Sequence, residues 1–396
     1  MITILSGVRT AMGRSVRQTM RIVVAITLAL VWGLTPATVS AEGEITTATS
    51  QSVGTVISKT AMTLPAELQP IATAKRIKYI STNSQGKKIT VSGAIITPKI
   101  QPSQPKTVAW AHGTTGLSDQ CTPSINLDVF WPEAVAAVKS YLQNGWTVAA
   151  TDYPGVGTPG GHPYLMGDSE ARSVIDSVRA ARNLDRRLTN KWVVSGHSQG
   201  GQAALFAGEI ADTYGSGLSL KGVVSMAPAS NLDIIAPAVV GTPGQGLLVA
   251  VLLGLSAVDA TVDPQALLAQ PAKDRLGVFQ TGCYFEILEA YAPLTAEELL
   301  VGGQLPQQAV DKLAMRGNPA QQASTVPMFI TQGTADATVP ADLTYVLHGQ
   351  VCAYGMPAYL HVVEGADHEG AVFQTSDMVA NYIQARFNGL PAPDNC

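Results

Sequence analysis

The sequence predicts an α/β fold, a mostly parallel central sheet flanked by helices, with a helical insertion late in the chain. Three observations predict it. Short, nearly continuous apolar runs alternate with amphipathic stretches from residue 107 onward, a glycine-flanked serine stands between one such run and a helix, and the alternation stops over residues 229–325 before resuming.

The runs Thr107–Ala111, Thr147–Thr151, Trp192–Ser195 and Gly222–Met226 are short and apolar throughout, as strands covered on both faces must be. Helical stretches over Glu133–Asn144, Ser169–Leu188 and Gln202–Tyr214 separate them, and strand–helix–strand order implies parallel pairing. Before these, Lys78–Ser81 and Ile89–Thr97 flank Asn83-Ser84-Gln85-Gly86 and read as an antiparallel hairpin. Residues 42–75 read as an N-terminal wrap. Two further strands are expected at Met328–Thr331 and Tyr359–Val363, with a last helix near Thr375–Phe387. Residues 229–325 are rich in Gly, Pro, Ala and Leu and contain no convincing strand, so they are expected to form helices over the carboxyl ends of the sheet, where open α/β sheets bind ligands.

Composition limits what the chain does. It has 396 residues, 46% apolar and 14% charged, with a formal charge of −4, enough apolar material for a large core and no basic footprint for nucleic acid. Arg9, Arg14, Arg17 and Arg21 precede an apolar stretch Ile22–Leu34, and Val39-Ser40-Ala41 offers small residues for cleavage. That stretch is shorter than the roughly 20 residues needed to span a bilayer. Residues 1–41 therefore read as a signal peptide, with Met20 an alternative start, and the mature chain is expected to be secreted, extracellular or periplasmic, without a stable membrane anchor. Cys121, Cys283, Cys352 and Cys396 are expected to form two disulfides in an oxidising compartment, and the sequence permits three connectivities. None stands in a Cys-x-x-Cys spacing, so neither a metal site nor a cofactor is expected.

The chemistry concentrates at Gly196-His197-Ser198-Gln199-Gly200, a Gly-x-Ser-x-Gly elbow whose glycines let a strand turn sharply into a helix and lift the serine clear. A serine hydroxyl needs a base in hydrogen-bond reach and a third group to orient that base. Asp336 after one late strand and His368 after the next supply them, in the order serine, acid, histidine. The rivals fit other roles: His361 lies within a strand, Asp367 reads as a loop cap, Asp342 begins a helix, and His197 and His348 carry little catalytic weight. The oxyanion of an acyl-transfer intermediate needs donors, and the loop Trp110-Ala111-His112-Gly113-Thr114-Thr115-Gly116 follows a strand at the right place. The backbone N–H groups of Thr114 and Gln199 are the expected hole, with Gly113 as substitute. The turn-rich loop Asp152–Tyr164 reads equally as a pocket rim or as a plain structural loop.

Taken jointly, the His112-Gly113-Thr114 loop with Cys121-Thr122-Pro123-Ser124, the Asp152-Tyr153-Pro154-Gly155-Val156-Gly157 loop, the elbow at Ser198, Gly333-Thr334-Ala335-Asp336 and His368 resemble the secretory lipase family of α/β hydrolases. The resemblance implies an α/β-hydrolase core over residues 42–228 and 326–396 with a cap or lid over 229–325. It implies a triad of Ser198, Asp336 and His368, and disulfides Cys121–Cys283 and Cys352–Cys396. The expected activity is hydrolysis of carboxylic esters, lipid acyl esters foremost, through an acyl-enzyme, with transient contact of the cap at lipid surfaces. A carboxylesterase for short soluble esters shares every one of these residues. A peptidase on the same fold and a non-catalytic binding module fit the sequence less well.

Overall fold

The structure is a computed structural model that describes residues 51–396, so the segment read as a signal peptide lies outside the described residues. Nine strands form one sheet: β1 (Val56–Met62), β2 (Ala72–Thr82), β3 (Lys88–Pro98), β4 (Thr107–Ala111), β5 (Thr147–Thr151), β6 (Lys191–His197), β7 (Ser219–Met226), β8 (Met328–Gly333) and β9 (Ala358–Val363). Their spatial order is β1-β2-β3-β5-β4-β6-β7-β8-β9. β1, β2 and β3 pair antiparallel, β3 joins β5 antiparallel, and every later pair is parallel. The expected hairpin is present and longer than its apolar signal, and the segment read as a wrap contributes the edge strand β1 and the start of β2. β1 was illegible because most of its residues are exposed and carry no burial pattern.

Side-chain alternation explains why the central runs are apolar at every position. Along β4, Ala109 and Ala111 face one buried layer while Val108 and Trp110 face the other, and along β6 Trp192 and Val194 oppose Val193 in the same way. The first layer is covered by α2 (Gly167–Leu184) and α3 (Gln199–Tyr214), which contribute Val174, Ile175, Leu205 and Ile210. The second is covered by α1 (Pro132–Gln143) and the last helix, α9 (Ser376–Asn388), through Val138, Leu142, Ile383 and Phe387.

Between β7 and β8 the described chain adds no strand to the sheet. It forms α4 (Leu232–Ala238), α5 (Gln245–Val258), α6 (Tyr284–Tyr291) and α7 (Gln307–Gly317) with several single turns, and these share a third apolar cluster. Helix α5 is apolar on nearly every position and is buried along most of its length. Two glycines allow this: a Cβ on Gly246 would stand 2.7 Å from the Ile287 carbonyl oxygen of α6, and one on Gly254 would stand 2.4 Å from that of Tyr164. Helix α8 (Ala341–Ala353) connects β8 to β9. Cys121 pairs with Cys283, tying the segment after β4 to the start of α6, and Cys352 pairs with Cys396, tying α8 to the C-terminus. No helix among the described residues is long and apolar enough to cross a membrane.

The sheet order places the site. From β4 the chain moves outward to β5 and then returns past β4 to β6, so the crevice between β4 and β6 is the switch point at which the strand order reverses. The loop after β4 carries Gly113 and Thr114, and the turn after β6 carries Ser198.

Candidate active site

Ser198 joins β6 to α3 with φ 57° and ψ −118°, a conformation that non-glycine residues rarely hold. Close packing on both sides enforces it. A Cβ on Gly196 would lie 2.0 Å from the Gly200 carbonyl oxygen, and one on Gly200 would lie 1.9 Å from that of Ala111, so both motif glycines are demanded by backbone contact. The Ser198 amide donates to the Met226 carbonyl at 2.9 Å, which hangs the turn from β7.

His368 and Asp336 meet across 32 residues of chain, with Nδ1 2.7 Å from Oδ2. The carboxylate is buried and fully committed: Oδ1 accepts from the Thr338 and Val339 amides at 2.8 Å each, and Oδ2 also accepts from Gln332 Nε2 at 3.0 Å. Burial pushes the Asp336 carboxyl up, but the bond to His368, its charge and the two amides outweigh burial and hold the group below the ordinary carboxylate range. Gln332 is itself fixed by Thr344, whose hydroxyl donates to its Oε1 at 2.7 Å. Ser198 and His368 line one cavity of about 740 Å³.

Two clamps surround the segments expected to bind an oxyanion. Trp131 Nε1 donates to the Thr114 carbonyl at 3.1 Å, and the Tyr164 hydroxyl lies 2.7 Å from Thr114 Oγ1. Behind the elbow, Gln199 Nε2 donates to Glu170 Oε1 at 2.8 Å and lies 3.1 Å from His162 Nε2. His162 Nδ1 is 2.9 Å from the Pro154 carbonyl, which only accepts, so the proton is on Nδ1 and Nε2 accepts from Gln199. Burial drives His162 down to about 3 and Glu170 up to about 8, so both are neutral at pH 7.

The loop Asp152–Tyr164 is mostly scaffold. Asp152 accepts from the Ser92 and Ser124 hydroxyls at 2.7 and 2.6 Å and from the Ser124 amide at 3.1 Å, which anchors the Cys121 segment. Only its end, Tyr164, reaches the cavity. The other rivals stand apart from Ser198: His361 stacks on Phe329 within β9, Asp367 caps Gly370, and His348 lies beside the Cys352–Cys396 bridge. His197 is different, packing its ring 4.6 Å from that of His368. Sequence reading passed over Glu133, Glu170 and Gln332, while Tyr164 closes the loop it offered as a pocket rim. One signal was available for Glu170, an acidic residue on the apolar stripe of α2 between Leu165 and Val174, where an unpaired charge has no place.

The cavity is walled mainly by the insertion, with Leu232, Val239, Leu247, Leu248, Val251 and Leu288 among its apolar surfaces. A secretory lipase family model matches residues 132–395, two thirds of the chain. The chain belongs to the secretory lipase family. It is 24% identical over 345 residues to a secreted triacylglycerol lipase of Malassezia globosa, an alignment covering 82% of this chain and 73% of that protein. It is 21% identical to lipase 1 of Candida albicans over 76% of this chain and 70% of that one. Among solved structures, the closed state of Candida antarctica lipase A superposes with a TM-score of 0.75 at 19% identity, covering 87% of this chain and 84% of that one. A rice cell wall degrading esterase of Xanthomonas oryzae gives 0.67 at 19% identity, over 85% and 98%. The fold is that of the α/β hydrolases, and the protein is a carboxylic ester hydrolase.

Proposed function

We propose that this secretory lipase hydrolyses lipid acyl esters by two-step acyl transfer through a covalent ester on Ser198. The observation that carries the reading is the convergence of Ser198 and the Asp336-bound His368 on one cavity whose far walls are aliphatic. His368 takes the Ser198 proton as the hydroxyl attacks the ester carbonyl, then gives it to the departing alcohol. Water, deprotonated by the same imidazole, attacks the acyl-enzyme and releases the acid. Asp336 keeps the His368 proton on Nδ1 and steadies the imidazolium. The backbone N–H groups of Thr114 and Gln199 receive the oxyanion, each worth about 10²-fold or more in rate.

The acyl chain lies along Leu247, Leu248 and Val251 of α5. Residues 229–325 act as a cap on the core of 42–228 and 326–396, and they meet lipid surfaces through the apolar rim where Phe285, 64% exposed, packs on Trp131. The secreted triacylglycerol lipase from Malassezia globosa supports a lipid substrate. Each additional buried methylene contributes about 0.8 kcal/mol, so chain length should register strongly. Nitrophenyl esters of graded acyl length test this: kcat/KM should rise from acetyl to octanoyl, emulsified triglyceride should be cleaved, and Ser198→Ala should abolish both turnover and fluorophosphonate labelling. A maximum at acetyl with untouched emulsions would replace the lipase reading with a carboxylesterase for short soluble esters. Normal labelling of Ser198→Ala would remove the mechanism itself.

A further inference from the structure

One buried group beside the reacting residues has an unmet requirement. His197 Nε2 lies 3.1 Å from the backbone carbonyl oxygen of His368. A carbonyl only accepts, so the His197 proton is on Nε2 and Nδ1 presents a bare lone pair. That Nδ1 is buried without a hydrogen-bond partner. A buried acceptor left bare is destabilising, and Glu133 Oε1 stands 3.9 Å away, just beyond hydrogen-bond reach. A carboxylate there would set negative charge against a lone pair, whereas a carboxylic acid would offer the missing donor.

We propose that Glu133 is a positioning residue which, in its neutral form, donates to His197 Nδ1 and thereby locks the His197 N–H onto the His368 carbonyl, holding the base in register with Ser198. The inference rests on the reading of Ser198, Asp336 and His368 given above. The groups facing Glu133 come from every neighbouring element: His197 at the end of β6, His368 and Glu369 after β9, and Tyr284 at the start of α6. No Lys or Arg lines the cavity, so nothing cationic except a protonated His368 favours the carboxylate. Burial, with the Glu369 charge adding to it, outweighs the hydrogen bond from Glu133's own backbone amide and the His368 charge and pushes the Glu133 carboxyl up to about 7, while burial holds His197 down to about 3, so the donor–acceptor assignment fits neutral pH. Above pH 7 Glu133 ionises, the donor is lost, and the hold on the His368 backbone loosens.

The test compares kcat and KM of wild type, Glu133→Gln and Glu133→Leu from pH 6 to 9 on a soluble nitrophenyl ester. Gln carries an N–H donor that cannot ionise. The ratio of its kcat to that of wild type should rise about three- to tenfold across a midpoint near 7, the size of one hydrogen bond, with the KM ratio flat. Glu133→Leu, lacking any donor, should lose about tenfold in kcat below pH 7 and approach wild type above it, with little change in KM. A Gln-to-wild-type ratio that stays constant over the range overturns the proposal, as does a Leu variant with full kcat below pH 7. If the Leu variant does not fold, the Gln ratio decides alone. Ser198→Ala run in parallel separates the two layers: a fully active Ser198→Ala refutes the mechanism beneath, whereas an inactive one with indistinguishable Glu133 variants refutes this inference only.

Discussion

Single residues here are set by what their neighbours leave unpaired. Glu170 is completely buried, and only Oε1 finds donors, from Gln199 and from the Leu165 amide at 3.0 Å, while Oε2 has none. Burial raises its carboxyl from an ordinary value of 4.5 to about 8, so folding favours the protonated form. The stabilising contribution is therefore complete below pH 4.5 and is lost as pH rises through 8. Glu170→Gln cannot ionise and keeps an oxygen for Gln199. Its melting temperature should gain on wild type between pH 5 and pH 8.5, and parallel curves for the two proteins would contradict a neutral Glu170. At this scale the sequence marked Ser198, Asp336 and His368 as candidates, because each stands in a local pattern of strand end and turn. It was silent on Glu133 and Glu170, whose roles depend on partners tens of residues distant.

Among the elements, the elbow is the most constrained. Gly200 begins α3 against the backbone after β4, and a methyl group there would overlap the Ala111 carbonyl at 1.9 Å, which only a backbone shift relieves. Overpacking a core usually costs about 1 to 3 kcal/mol, and backbone overlap belongs at or above the upper end. Gly200→Ala should thus lower unfolding free energy by about 3 kcal/mol and remove activity. Gly217 is the control: it has φ +81° with open space around it, so Gly217→Ala should cost only about 1 to 2 kcal/mol of left-handed strain. Denaturant melts showing equal losses for the two would mean that the elbow is not clash-limited. Helix α5 shows how one element meets two demands. Leu247, Leu248 and Val251 line the cavity while Val249, Leu252 and Leu255 fill the insertion's own cluster, so a helix apolar all round has no exposed apolar face to explain.

At the scale of the molecule, the insertion is held to the core by a covalent tie. The Cys121–Cys283 bridge spans 162 residues, and beside it the Tyr284 amide donates to the Thr115 carbonyl at 2.9 Å, one residue from Thr114. A Cβ on Gly116 would lie 2.7 Å from Cys121 Sγ, so this glycine makes room for the bridge. Removing Cys121 and Cys283 together should lower stability by about 2 to 4 kcal/mol and reduce kcat/KM, since the Thr114 loop and the cavity wall lose their common anchor. The Cys352–Cys396 bridge closes 44 residues at the end of α8, and neither cysteine lines the cavity, so its removal should cost stability while leaving kcat/KM close to wild type. Equal kcat/KM for both double variants would detach the first bridge from the site. The sequence by itself determined the layered architecture, since runs apolar at every position have no stable place except between two helical layers, and it determined the elbow at Ser198, since an elbow is a local backbone solution written in adjacent residues. The tertiary structure alone decided which face of α5 lines the cavity, what anchors Gln199 and Thr114, and that Glu133 and His197 lie against His368. Those contacts join segments far apart in the chain, and no local spacing encodes a distance that only the strand order of the sheet sets.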